Sequence, residues 1–403
     1  MKKHILVISQ YFYPEQFRIN DICCEWIKRG YKVTVLTGIP NYPQGQFYEG
    51  YGYTKKRNEI WNDIEIIRIP LIPRGKNIIE LVFNYLSFPI SGFFWNLFGK
   101  IKADYVFMFE TSPMTQCMIG VWYAKKHKCP LYLYVQDLWP ENVEIITGVH
   151  NKLIIGPIQA MVDHIYKNCT DIFVTSPSFV KAVCDRNVSE SKVHYWPQYA
   201  EEFYVALEKC PTPEIPKDKK FKIIFTGNIG YAQGLNILPK TALLLKEKKC
   251  DVKFYIVGDG RYKEELIKEI SEYKVLEMFS LIDRQPAERI PELLAACDVA
   301  FLSFMDTDLF TMTIPAKLQS YMACGMPIIA AAAGETERII QEAKCGYCVP
   351  LGDAQALADA IIQMQNVSES IWKEMGINAN LYSQKYFDKK SLMDMMDSFF
   401  NNN

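Results

Sequence analysis

FKIIFTGNIGYAQGLNILPKTALLL, residues 221–245, decides how this chain is built. The apolar run Phe221–Phe225 reads as a strand, Gly227-Asn228-Ile229-Gly230 with Gln233 and Gly234 as a glycine turn, and Leu235 to Leu245 as a helix. That order sets backbone N–H groups and the positive end of a helix dipole against an anion. Glycine also lets the backbone approach a phosphate where a side chain would block it. Val257-Gly258-Asp259-Gly260 repeats the device after the next strand, although a plain tight turn reads the same way. Thr313-Ile314-Pro315-Ala316-Lys317 opens a further helix, with Pro315 suited to the first helical position and Thr313 placed to cap nearby. Lys317 then sets a cation where a helix prefers an anion, a small cost that an anionic ligand would remove. The plainer alternative is a solvated surface lysine. Two such devices in one α/β half point to a diphosphate, and so to a nucleotide-sugar.

The alternation extends outward from this stretch. Phe221–Phe225, Val252–Val257, Val275–Leu281, Val299–Leu302 and Pro327–Ala331 read as strands downstream. Upstream, Ile5–Ile8, Val33–Leu36, Ile64–Ile69, Tyr105–Phe109, Leu131–Val135 and Ile172–Thr175 do the same, with helices at Ile19–Lys28, Met114–Lys126 and Leu153–Tyr166. Short apolar strands alternating with helices mean parallel sheets covered on both faces. The pattern lapses between Glu201 and Lys220, where Pro211, Pro213, Pro216 and the charged cluster Lys217–Lys220 mark a linker. Two doubly wound, Rossmann-like units are therefore expected, residues 1–200 and 201–384, facing a central cleft, with a final helix over 385–403 packing back on the first. Ligands of such sheets bind outside the carboxyl ends of the strands.

Composition narrows the function. The 403 residues carry 45 basic and 46 acidic side chains, so no global basic field argues for nucleic acid. Twelve scattered cysteines, with no signal-peptide pattern after Met1-Lys2-Lys3-His4, suit a reduced cytosolic compartment. Cys345 and Cys348 form a Cys-x-x-Cys without the second pair a zinc ribbon needs, and read as buried thiols. Asp306-Thr307-Asp308 reads as a polar loop rather than a metal-holding carboxylate pair, and His127, His150, His164 and His194 fall in no ligand-spaced cluster. No metal is expected.

Ile78–Gly99 is the most apolar segment, with Glu80 its one charge, Pro89, Ser91, Gly92 and Asn96 interrupting it, and Arg74, Lys76, Lys100 and Lys102 flanking it. Aromatics between cationic flanks suit a segment lying on a bilayer surface; a buried pair of core helices is the alternative, a true span a third.

The series Phe225-Thr226-Gly227-Asn228-Ile229-Gly230, Ile256-Val257-Gly258-Asp259-Gly260, Ala296-Cys297-Asp298-Val299-Ala300 and Pro315-Ala316-Lys317-Leu318-Gln319-Ser320-Tyr321-Met322-Ala323-Cys324-Gly325-Met326-Pro327-Ile328-Ile329-Ala330 resembles the donor half of family 4 glycosyltransferases, retaining enzymes of the GT-B fold. Tyr11-Phe12-Tyr13-Pro14-Glu15 and Gly30-Tyr31-Lys32-Val33-Thr34-Val35 resemble the acceptor half. Tyr42-Pro43, Gln136-Asp137-Leu138-Trp139-Pro140-Glu141 and the Gln-Ser-Tyr after Lys317 are similar to a subgroup that includes N-acetyl-L-fucosamine transferases of O-antigen and capsule clusters. The resemblance implies a metal-independent enzyme moving a sugar from a UDP-sugar to a polyprenyl-diphosphate-linked saccharide at the inner membrane face. It places the diphosphate on Gly227, Asn228, Gly230 and Lys317, with Gly258, Asp259, Gly260, Thr313 and Pro315 around the donor and the Phe279–Arg284 strand end facing the base. The family's paired glutamates fall at Met312 and Ser320, neither acidic, so Gln319 or Ser320 would hold the ribose, and Gln233 stands where a lysine is common.

In the first half, Asp137 and Glu110 each follow a strand and so sit at a carboxyl end, where a carboxylate can orient or deprotonate an acceptor hydroxyl. A helix cap or a structural carboxylate is the alternative for both. Pro14, Glu15 and Arg18 in the first loop are further acceptor-side candidates. An epimerase of the same fold, or a nucleotide-sugar-binding protein without turnover, are the competing functions; the dinucleotide fingerprint is excluded, because Ser9-Gln10-Tyr11 holds no glycine.

Overall fold

The computed structural model describes residues 2–75 and 77–402. Lys76, one of the cationic flanks named above, and Asn403 lie outside the described residues. The chain forms two compact units. The first runs to Trp196 and takes back the chain from Asp397; the second is Pro197–Met396.

The first unit holds strands β1 (His4–Ile8), β2 (Lys32–Gly38), β3 (Asn58–Trp61), β4 (Ile64–Ile69), β5 (Tyr105–Glu110), β6 (Leu131–Val135), β7 (Asp171–Val174) and β8 (Val193–Tyr195). They form one sheet in the order β3-β4-β2-β1-β5-β6-β7-β8. Every pairing is parallel except β3 with β4. The central strands are buried on both faces, Ile5, Leu6, Val7 and Ile8 completely, as helix-covered parallel strands must be. The sequence patterns did not announce β3 and β8. β3 is a half-exposed antiparallel edge with no apolar run, and β8 has three residues.

The second unit holds β9 (Phe221–Asn228), β10 (Val252–Asp259), β11 (Phe279–Ile282), β12 (Val299–Ser303), β13 (Ile328–Ala331) and β14 (Gly346–Val349), in the order β11-β10-β9-β12-β13-β14, all parallel. Leu276–Met278, expected as strand, is a short 3-10 turn before β11.

Two boundaries differ from expectation. The division falls after Trp196, and the linker segment 201–220 belongs to the second unit, where Ile215 is fully buried. The expected helix over 385–403 is instead the end of one helix, Glu369–Tyr386, and a second, Lys389–Asn402; only its last turns join the first unit. There Phe400 is fully buried against Trp26, Tyr31, Tyr105 and Tyr132. Its carbonyl accepts from Lys3 Nζ at 2.7 Å and from the Tyr105 hydroxyl.

Ile78–Phe98 is one continuous helix through Pro89, so it is neither broken nor a helix pair. Asn77 caps it by accepting from Glu80 N at 2.8 Å, while Glu80 returns to Asn77 N. Its inner face carries Asn84, Phe88, Gly92 and Asn96 and docks on the first unit. Its outer face leaves Ile79, Val82, Phe83, Leu86, Ile90, Phe93, Phe94 and Leu97 exposed, spaced as one helical stripe. Only 22% of its most apolar stretch is buried, which excludes the core-helix reading.

Candidate functional site

In the second unit the glycine motifs are strand ends rather than turns. β9 and β10 pair in register through Gly227 with Gly258 and Asn228 with Asp259. A Cβ on Gly258 would stand 1.9 Å from the Gly227 carbonyl oxygen, and Gly258 has φ +146°. Gly227, at φ +125°, has a backbone that favours glycine, and the Lys317 chain runs beside it, 3.6 Å from where a Cβ would lie. Glycine at both positions lets the two chains stay paired to the carboxyl edge and brings bare backbone up to a lysine. Gly260 also lies under backbone, with a virtual Cβ 2.2 Å from Ile229 O. Asp259 Oδ1 accepts from Gly260 N. Asn228 and Asp259 are exposed at this edge, and Asn228 Nδ2 lies 2.9 Å from the position of a Cβ on Gly230.

Lys317 is the second residue of the helix Ala316–Ala323. Its ammonium stands 4.2 Å over the Phe225 ring and donates to Gln233 Oε1. Burial against this apolar lining pulls its pKa from 10.5 down to about 7. The helix is tied to β9 by Tyr321, whose hydroxyl accepts from Thr226 N at 2.9 Å. A half-buried cation held by a neutral amide, beside glycine backbone at a strand end, is an arrangement whose chemistry suits an anion. A cavity of about 590 Å³ in the same unit lies by Phe221, Lys222, Asp298 and Trp372, at the opening end of β9, and is separate from this edge.

The local geometry around this helix differs from expectation in several places. Pro315 is the extended residue before the helix, not its first turn. Thr313 does not cap it; its hydroxyl donates to Leu309 O at 2.9 Å, closing the preceding turn. Ser320 Oγ returns to Ala316 O. Gln319 is fully buried with neither amide atom bonded. As folded, neither presents the ribose contact expected of it.

In the first unit β5 and β6 bring Glu110 and Asp137 together. Glu110 is fully buried, and its Oε2 accepts from Gln136 N and Asp137 N, both at 3.2 Å. Burial and the Asp137 charge hold its carboxyl well above the ordinary range. Glu110 is therefore buried and turned to backbone N–H groups, not the solvent-facing carboxylate expected. Asp137 Oδ2 accepts from Ser112 N and Ser112 Oγ, both at 2.8 Å. Ser112 Oγ is fixed in turn by Trp139 Nε1 and Asn142 Nδ2. Among the described residues no hydrogen bond engages Asp137 Oδ1, which leaves it for a ligand.

Glu15 is corrected in the same way. It is buried and accepts from Phe12 N at 3.3 Å, Asn41 N at 2.7 Å and Tyr42 N at 2.6 Å. Burial raises its pKa to about 7 despite those donors. It pins two loops together and does not face an acceptor. Pro14 lies within the first of these loops; Arg18 opens the helix Arg18–Lys28 near the Tyr134 hydroxyl. What the sequence reading missed is Arg74. Its backbone N donates to Asn41 Oδ1 at 2.9 Å, and its guanidinium lies over the rings of Tyr42 (5.6 Å) and Tyr85 (6.0 Å). It also faces the Tyr11 hydroxyl and draws on the Asp137 charge.

Residues 211–379 match the family model described as glycosyl transferases group 1. This chain is a glycosyltransferase, its second unit carrying the group 1 match. The transferase is 25% identical over 351 residues to an Escherichia coli K12 protein named for colanic acid biosynthesis, the glycosyl transferase WcaI, covering 83% of this chain and 84% of that one. In fold it is similar to a sucrose-phosphate synthase from Thermosynechococcus elongatus, with TM-score 0.74, 16% identity and 100% and 99% coverage. It is similar also to Anabaena HepE solved with UDP, with TM-score 0.70, 14% identity and both chains covered completely. The fold is GT-B.

Proposed function

We propose that this transferase moves a sugar from a UDP-sugar, with retention, onto a polyprenyl-diphosphate-linked saccharide during surface-polysaccharide assembly at the inner membrane face. The observation that carries the reading is Lys317 set over Phe225 against the bare backbone of Gly227. As the sugar leaves, negative charge gathers on the nucleoside diphosphate. Lys317 and strand-end amides stabilise it without a divalent ion. The HepE complex with UDP favours that nucleotide, and the WcaI name favours polysaccharide assembly. An N-acetylated deoxyhexosamine such as N-acetyl-L-fucosamine is the sugar that the Gln-Ser-Tyr subgroup resemblance favours. Asp137 orients the acceptor hydroxyl through its open oxygen.

The exposed stripe of the helix Ile78–Phe98 supports a peripheral membrane contact. Asn84 on its inner face argues against a span: it donates to Ile72 O at 2.6 Å and accepts from Gln10 Nε2 at 3.0 Å, tying that face into the first unit. The test combines a thermal-shift panel of nucleoside diphosphates, an assay with lipid-linked acceptors, EDTA treatment, and liposome flotation of the protein and of a Phe83→Glu/Phe94→Glu variant. UDP-specific stabilisation, EDTA-resistant transfer and flotation lost in the variant support the proposal. Tight UDP binding with no turnover of any acceptor would make this a binding protein; loss of activity in EDTA restored by manganese would overturn the metal-free reading.

A further inference from the structure

Arg74 has no role in the chemistry so far. It lies in the loop between β4 and the apolar helix, half-buried, and makes no ion pair among the described residues. A guanidinium withdrawn from water needs an anion, or the cost of its desolvation stands uncompensated. Here the Asp137 charge acts only from beyond ion-pair distance, and the guanidinium is held by aromatic surroundings: the faces of Tyr42 and Tyr85 and the hydroxyls of Tyr11 and Tyr85. Those rings are mutually packed, Tyr11 at 5.2 Å from Tyr42 and Tyr85 at 5.8 Å from Trp139. The loop beneath is fixed as well, since the Glu15 carboxylate holds Asn41 N and Asn41 Oδ1 holds Arg74 N. So much support for one cation with no carboxylate in direct contact marks a prepared site for an oxyanion.

The same helix identifies the oxyanion's carrier. Tyr85 reaches Arg74 from the inner face of Ile78–Phe98, while Val82, Phe83 and Leu86, its neighbours in sequence, are exposed on the outer face. A further tie runs from Ile72 N to Ser87 Oγ at 2.9 Å. One rigid element therefore carries a wall of the cationic site on one side and an apolar surface on the other. We propose that Arg74, framed by Tyr11, Tyr42 and Tyr85, binds the phosphate that joins the acceptor's saccharide to its hydrocarbon chain. This rests on the lipid-linked reading above and names the residue that recognises it. With Arg74 on the phosphate and Asp137 Oδ1 on the sugar hydroxyl, the site fixes both ends of the acceptor head.

The test is calorimetric titration of the full chain with decyl phosphate, decyl glucoside and inorganic phosphate, with UDP titrated separately. The wild type should bind decyl phosphate about 10- to 100-fold more tightly than decyl glucoside, the scale of one charge-assisted contact. Arg74→Gln should erase that preference and leave UDP affinity unchanged; Arg74→Lys, which keeps the charge but loses the fork, should fall between. Equal binding of the two amphiphiles by the wild type, which needs no variant to fold, would overturn the proposal, as would a preference surviving in Arg74→Gln. Inorganic phosphate binding as tightly as decyl phosphate would make this a free-phosphate site and refute the acceptor role. Failure of UDP to bind would instead sink the glycosyl-transfer reading and leave the phosphate preference standing.

Discussion

Replacing Lys317 with Met should make the empty protein more stable and the enzyme far less active. The fall of its pKa from 10.5 to about 7 is, at 1.36 kcal/mol per unit, a penalty of about 5 kcal/mol on the charged form. Water still reaching the half-buried chain screens this to about 2 kcal/mol. The folded state binds the proton only below about 7, whereas the unfolded chain holds it up to 10.5. Between these values the unfolded state carries more protons, so wild-type stability rises with pH across that window, and below it the penalty is complete. Lys317→Met should therefore melt about 4–8 °C above the wild type at pH 6, on the scale of 2–4 °C per kcal/mol for a unit of this size. The gap should close towards pH 10. UDP should reverse the order at neutral pH, because a diphosphate beside the ammonium restores the charged form in the wild type alone. Turnover should drop by roughly 100-fold or more, the scale of losing one preorganised charge donor. Calorimetry at pH 6, 8 and 10, with and without UDP, reads all of this. A wild type more stable than Lys317→Met at pH 6 without nucleotide, or two parallel pH curves, would refute the reasoning.

Three further outcomes are expected. Asp137→Asn should lower turnover while UDP affinity stays near wild type; a matched loss of UDP affinity, read by calorimetry, would remove Asp137 from the acceptor side. Glu15 has a folded pKa of about 7 against an ordinary 4.5, so the folded state holds the extra proton between them and wild-type stability falls as pH rises through that window; urea midpoints of Glu15→Gln should lack that slope. Gly258→Ala should cost about 2–4 kcal/mol in urea unfolding, because the new methyl meets the Gly227 carbonyl at a left-handed φ.

The architecture was legible because parallel strands buried on both faces write themselves as short apolar runs between helical patterns. Leu131–Val135 and Ile64–Ile69 come out with the bounds read from sequence. Edge strands did not: Asn58–Trp61 is half-exposed, and Gly346–Val349 mixes glycine with cysteine. Lys317 stood out in the sequence because a cation in a helix's first turn is locally costly, and its place there holds. Glu110 ends Tyr105–Glu110 as read and Glu15 lies in the first loop as read, but one-dimensional reasoning could not tell a carboxylate facing solvent from one facing backbone N–H groups. Arg74 was invisible as a site residue. Its tyrosine neighbours come from positions 11, 42 and 85, and only the fold collects them.

The Phe400 side chain sits in the first unit although the two hundred residues of Pro197–Met396 separate the two passages of chain. A protease clipping after Met396 would thus injure the unit most remote from the cut along the backbone. Trp26, Tyr31, Tyr105 and Tyr132 would be left wet, and the lesion would register as loss of the first unit's integrity with the second unit intact.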